Sequence, residues 1–243
     1  SDLTRIVSVT ESFKRTLVAR GIDGAKIDVV TNGVDIARFS PRPKDAALVR
    51  QLGLEGRFVA GYIGTHGMAH ALETLLDAAE LLARMPGAES FCLLLLGDGA
   101  RKAELVADAQ RRGLDNVIFI DTVPKHEVVR YWSLLDVSVI HLRRTELFTT
   151  VIPSKLFECM GMGIPVLLGV AGESANIVEL EGVGEVFEPE NAQQLVRSLL
   201  RLRAEPALML RYRENSLAAA GRYDRGALAQ RMLASLQAAA RRG

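Results

Sequence analysis

The sequence predicts a doubly wound α/β domain: a parallel sheet of six strands, followed by C-terminal helices. Short apolar runs alternate with stretches of helical periodicity, the pattern of βαβ units. The runs are apolar at successive positions, as in strands covered by helices on both faces. With 243 residues, 49% hydrophobic and 24% charged, the chain can bury a large core and offset its ordering entropy.

The strand VAGYI at 59–63 leads into a helix whose apolar positions Leu72, Leu75, Leu76, Ala79 and Leu82 recur at helical spacing. A strand at 91–96, a helix over about 101–111 and a strand at 117–120 come next. Then follow a helix over 127–135 and a strand at 137–140. A helix opens near Pro153, a strand at 166–168 follows Gly163, Ile164 and Pro165, and the sixth strand lies at 184–187. Ahead of this core are a strand at 6–9, a helix ended by Gly21, a strand at 27–30, and a sharp turn at Asn32 and Gly33. Behind it run helices over 192–203, 206–220 and 225–240, with no internal repeat.

Composition removes several classes of function. Thirty basic against 29 acidic residues argue against a dedicated nucleic-acid binder, which carries a strongly basic face. Cys92 and Cys159 have no disulfide or metal spacing and fit a reducing cytoplasm. The longest wholly apolar run, at 91–96, is far short of the roughly 20 residues that span a bilayer. No signal-peptide pattern is visible, and a start at Ser1 heading into a strand reads as a piece of something longer. From Arg197 onward ten Arg and no Lys face Glu205, Glu214 and Asp224. That tail suits an anionic membrane surface, although a solvated helical face is the simpler account.

In an open parallel sheet, ligands bind at the loops outside the carboxyl ends of the strands. Four such loops stand out. Residues 64–70 (GTHGMAH) join a strand to a helix N-terminus, where glycines admit a ligand and the dipole favours anions. A tight turn explains the glycines equally well. Gly97, Asp98 and Gly99 close the leucine strand and also read as a turn and N-cap. Asp121, Thr122, Val123 and Pro124 form a polar mouth with backbone groups that could read a planar base. The strongest signal is the stretch from Phe148 through Thr150 to Val166, FTTVIPSKLFECMGMGIPV. Pro153 near a helix start, then Ser154 and Lys155, sets unpaired N–H groups beside a cation. A Lys in a first turn opposes the helix dipole unless an anion lies between it and those N–H groups. Glu158, about one turn on, reaches a sugar hydroxyl pair on such a ligand; a surface pair with Lys155 is the alternative.

His66 and His70 are four apart but have no third metal ligand, no D-x-D pair exists for a phosphate-bound cation, and no G-x-S-x-G elbow is present. No metal or other cofactor is expected.

Together these segments resemble the C-terminal half of glycosyltransferase family 4, enzymes with two facing Rossmann-like domains in the GT-B architecture. The run VVTNGVD at 29–35 with Phe39 and Pro41 is similar to that family's "NGVD…F.P" segment. Gly97-Asp98-Gly99 resembles its "GDG", and 156–166 its "LEAMAxGxPVV". Residues 64–82 and 151–158 are similar to bacterial transferases of the N-acetyl-L-fucosamine type, which build surface polysaccharides. The resemblance implies a nucleotide-sugar donor, UDP favoured, with residues 1–40 as the end of an N-terminal domain and linker with entry strands. Residues 41–243 would be the donor-binding domain, and an absent N-terminal half would hold a glycan or polyprenyl diphosphate-linked acceptor. It implies a cytoplasmic location, with peripheral contact at the inner membrane face, and retention of anomeric configuration. Glu158 corresponds to the family's ribose-binding Glu, the second of E-x7-E. Ser154 and Lys155 offer N–H groups to the diphosphate, Thr122 and Val123 contact the base, and Gly64 and Thr65 face the diphosphate.

Two departures stand out. The first Glu of E-x7-E falls at Thr150, with Glu146 out of register, and the family's Arg and Lys of the first loop fall at Thr65 and His70. Lys155 is then the candidate to stabilise the leaving diphosphate, with His66, His70, Arg143 and Arg144 as possible helpers. The rivals are a GT-B nucleotide-sugar 2-epimerase and a non-catalytic nucleotide-sugar-binding domain.

Overall fold

The computed structural model describes residues 5–240; residues 1–4, with the start at Ser1, and Arg241 and Arg242 of the arginine-rich tail lie outside them. Six parallel strands form the expected sheet: β3 (Phe58–Ile63), β4 (Phe91–Leu96), β5 (Val117–Ile120), β6 (Val137–His141), β7 (Val166–Gly169) and β8 (Gly184–Val186). Their order is β5-β4-β3-β6-β7-β8. The chain adds strands outward from β3 to one edge, then returns to β6 on its other side. The crevice between β3 and β6 is the switch point where such sheets bind ligands.

Strand side chains alternate between two apolar layers, as the pleat requires. Phe58, Ala60 and Tyr62 of β3 face α3 (Glu73–Ala83), α4 (Lys102–Arg112) and α8 (Ala192–Ala204). Val59 and Ile63 face the layer of α5 (Val128–Trp132), α6 (Lys155–Met162) and α7 (Glu173–Glu181). Gly61 lies between them because a Cβ there would come 2.1 Å from Leu135 Cδ2. Nearly every side chain in β3, β4, β6 and β7 is buried, whereas edge strands β5 and β8 are half-buried.

Two short helices carried too weak a pattern to be foreseen. In α2 (Ala46–Gln51), the Asp45 carboxylate caps the N–H groups of Ala47 and Leu48. Helix α7 starts at Gly172, whose φ of +86° suits glycine. The helix expected over 127–135 is limited to Val128–Trp132, and the one expected near Pro153 begins at Lys155.

The entry segment makes a separate parallel pair of β1 (Ile6–Ser8) and β2 (Ile27–Val29), joined by α1 (Glu11–Ala19). After α9 (Pro206–Ala220), the last helix α10 (Arg225–Ala240) returns to this pair: the Ser235 hydroxyl bonds Asp28, and Arg231 reaches the Val29 carbonyl at 3.4 Å. At the crossing, Val34 N–H donates to the Tyr223 carbonyl at 2.8 Å and Arg225 N–H to the Val34 carbonyl at 2.9 Å. Among the described residues no helix is long and apolar enough to cross a membrane.

Candidate functional site

A cleft of about 580 Å³ opens at the carboxyl ends of β3, β4 and β5 and the N-terminus of α6. Its walls are built by backbone contact. Gly64 N–H donates to the Leu96 carbonyl at 2.9 Å, and His66 N–H to the Asp98 carbonyl at 2.8 Å. The loop at 64–67 thus lies directly on the loop at 97–99. A Cβ at Gly97 would stand 1.9 Å from the Gly64 oxygen, and one at Gly99 would stand 2.6 Å from the His66 oxygen. These glycines serve loop-on-loop packing. Lys102 ties the strand ends together, with Nζ on the Gly97 carbonyl at 2.8 Å, the Ile120 carbonyl at 3.2 Å and the Asp121 carboxylate.

At the back of the cleft, the Lys155 ammonium lies 4.0 Å from the Tyr62 ring centre, a cation–π contact. Gly64 covers it: a Cβ there would fall 2.5 Å from Nζ. Among the described residues no carboxylate forms an ion pair with Lys155. Burial disfavours its charged form and lowers its pKa to about 8. Ser154 caps α6 without a side-chain bond, and the N–H groups of Ser154 and Lys155 find no acceptor among the described residues. A desolvated cation and two unpaired donors therefore meet at one helix start, an arrangement complementary to an anion.

Glu158 lies one turn further along α6, with its pKa raised by burial against the opposing pull of Lys155, Arg225 and Arg38. Four cations (Arg38, Lys125, Lys155 and Arg225) line the cleft against two carboxylates, Asp98 and Glu158. Thr122, Val123, Phe39 and Val128 also line the cleft, and the Thr122 and Val123 N–H groups make no hydrogen bond among the described residues.

Of the residues singled out from sequence, Gly64, Thr65, His70, Gly97, Asp98, Thr122, Val123, Ser154, Lys155 and Glu158 line this cleft. The structure puts the others elsewhere. His66 is fully buried behind its loop, both ring nitrogens lack a partner, and burial drives its pKa down to about 4. Thr150 belongs to a 3-10 turn (Glu146–Thr150), and its hydroxyl donates to the Leu147 carbonyl at 3.3 Å. Arg143 pairs with Glu73 at 3.0 Å and Arg144 with Glu188, so neither guanidinium joins the cleft. Arg38, Lys125 and Arg225 were not foreseen. Arg38 follows the turn at Gly33 and bonds the Lys125 carbonyl, while Arg225 arrives from the far end of the chain. Among the described residues no group of three His, Cys, Asp or Glu side chains could hold a metal ion.

Residues 45–218 match the family described as "Glycosyl transferases group 1". The chain is 31% identical over 231 residues to a D-inositol 3-phosphate glycosyltransferase of Segniliparus rotundus, covering 91% of this chain and 49% of that protein. It is 28% identical over 202 residues to the amylovoran biosynthesis glycosyltransferase AmsK of Erwinia amylovora, covering 81% and 47%. The chain thus spans about half the length of these curated relatives. In fold it is similar to Anabaena Alr3699/HepE, crystallised with UDP-glucose, at a TM-score of 0.80 and 22% identity, covering 97% of this chain and 64% of that one.

Proposed function

Because this chain belongs to the glycosyl transferases group 1 family, we propose that it is the donor-binding half of a metal-independent, retaining glycosyltransferase. The donor is a nucleotide-sugar, a UDP-sugar by preference, and the acceptor a glycan or polyprenyl diphosphate-linked chain in cell-surface polysaccharide synthesis. An amylovoran biosynthesis enzyme among the relatives and a UDP-glucose complex among the structural neighbours favour that choice. Residues 1–40 close a preceding acceptor-binding domain, and residues 41–243 hold the donor.

The observation that carries this reading is the unpaired Lys155 ammonium beside the free N–H groups of Ser154 and Lys155. As the bond from the sugar C1 to the diphosphate oxygen breaks, its electron pair moves onto the diphosphate. Preoriented donors and a desolvated cation stabilise that growing charge more than they stabilise the ground state. Glu158 accepts from the ribose hydroxyls, and the Thr122 and Val123 backbone meets the base.

Titrating UDP into variants tests the assignment. Lys155→Ala and Glu158→Ala each weaken binding about tenfold or more, the scale of one charge-assisted hydrogen bond, while Glu205→Ala leaves it unchanged. Equal affinity in all three variants removes the site. A non-catalytic nucleotide-sugar binder is the second reading, favoured by Thr150, which stands where a carboxylate is expected and outside the cleft. Sugar transfer on addition of an N-terminal half excludes it.

A further inference from the structure

The loop that carries His70 into the cleft is held from behind by a histidine to which nothing above assigns a role. His141, the last residue of β6, is 1% exposed. Its Nδ1 lies 2.7 Å from the His70 carbonyl oxygen, and the Glu190 N–H points at its Nε2 at 2.9 Å. A backbone N–H can only donate, so Nε2 is the acceptor and the ring hydrogen is on Nδ1, donated to His70. A doubly protonated ring would set two donors against each other at Glu190.

The slot around this ring is closely fitted. Phe187 stacks on it with centroids 5.8 Å apart and planes 6° from parallel. A Cβ at Gly169 would meet His141 Cδ2 at 2.4 Å and the Phe187 ring at 2.5 Å. The loop held by this contact is one that does not close by local preference. Ala71, immediately after His70, is buried at φ +44°, a left-handed conformation that an L-residue adopts at a cost. Arg143 N–H reinforces the hold by donating to the Ala69 carbonyl at 2.8 Å, and the Arg143 guanidinium binds Glu73. On the other side Glu190, also left-handed at φ +64°, accepts the Arg144 N–H at 2.7 Å through its carboxylate.

We propose that His141 is the positioning residue of the cleft, bridging the strained His70–Ala71 turn to Glu190 and so fixing where the His70 ring and the loop at 64–67 meet a bound nucleotide-sugar. The inference rests on the donor-site reading only for the identity of that ligand. His141 touches neither cleft nor ligand; it acts through His70.

Three variants separate its two bonds. His141→Asn keeps a donor at the position of Nδ1, His141→Gln keeps an acceptor toward Glu190, and His141→Phe keeps the stack on Phe187 without either bond. In the unsubstituted chain, imidazole nitrogen NMR reports a neutral His141 with hydrogen on Nδ1; hydrogen on Nε2, or a cation, at neutral pH overturns the proposal. Amide exchange at Arg143 quickens in the Gln and Phe variants and stays slow in the Asn variant. UDP affinity follows the same order, about tenfold weaker for Gln and Phe and within about threefold for Asn. Equal exchange in all variants, or rescue by Gln in place of Asn, refutes the role. If the unsubstituted chain binds no UDP, the donor reading fails, while the imidazole spectrum and the Arg143 exchange still decide this inference.

Discussion

The Lys155 ammonium rests 4.0 Å from the centre of the Tyr62 ring, under the backbone of Gly64 and without a carboxylate partner among the described residues. A cation in that position is stabilised by the ring quadrupole but not neutralised. It remains available to an incoming anion, and the following predictions start from it.

Nucleotide binding will depend on pH through Lys155. Burial lowers its pKa from the ordinary lysine range to about 8, so in the free site the Lys155 side chain is cationic below that pH and neutral above it. A bound diphosphate raises the pKa again, so binding above pH 8 takes up a proton. Affinity is therefore flat from neutrality to about pH 8 and falls by up to about tenfold per unit beyond it. Calorimetry in buffers of different ionisation enthalpy measures the uptake. Lys155→Arg, whose guanidinium stays charged, should abolish both effects; a flat profile in the unsubstituted chain contradicts the assignment.

Gly64→Ala should impair the site more than the fold. The new Cβ would lie 2.5 Å from Lys155 Nζ at a backbone φ of +152°, so the ammonium must leave its place over Tyr62. We expect UDP affinity to fall by about tenfold or more with the cooperative melt retained. Unchanged affinity would place the cation elsewhere in solution.

Acid should destabilise the fold through His66. Burial lowers its pKa to about 4, against about 6.5 when unfolded, so the unfolded chain binds more protons between those values. The stability from a neutral His66 is complete above about pH 6.5 and is lost as pH falls toward 4, by at most about 3 kcal/mol. His70 and His141, whose pKa values burial also lowers, act in the same direction. His66→Leu should therefore reduce the slope of denaturation free energy against pH without removing it. An identical slope in the variant refutes the assignment.

Gly33→Ala tests how Arg225 reaches the cleft. A Cβ at Gly33 would approach the Tyr223 oxygen to 2.1 Å and Leu228 Cδ1 to 2.5 Å, and the Gly33 carbonyl accepts from Arg225 Nε at 3.0 Å. The variant should melt several degrees lower, the scale of about 1–3 kcal/mol in a domain of this size, and bind UDP more weakly. Arg225→Ala should weaken binding with little change in melting. Normal melting and binding in Gly33→Ala would mean that the crossing is not made in solution.

The sheet was legible because parallel strands buried on both faces leave continuous apolar runs, as in Phe91–Leu96. Helix α2 has only six residues and α7 begins at a left-handed glycine, so neither leaves a long periodic pattern. In the site, Ser154, Lys155 and Glu158 were legible because the cap and first turn of α6 carry them in one short stretch. Arg225 was not: it depends on a bridge between Val34 and Asp224, residues far apart in the chain with no local signal. His66 shows the opposite case. Its glycine-flanked position reads as a ligand contact, yet with Gly97 packed on Gly64 and Gly99 on the His66 backbone, the ring lies in the interior.

The central claim is that an unpaired cation and free N–H groups at the start of α6 bind a nucleoside diphosphate without metal. Calorimetric titration of the chain with UDP, GDP and ADP in the presence of EDTA tests it most directly. The account predicts saturable binding of one nucleotide, UDP by preference, that Lys155→Ala weakens. Undiminished UDP binding by the Lys155→Ala variant, or binding that EDTA abolishes, would contradict it.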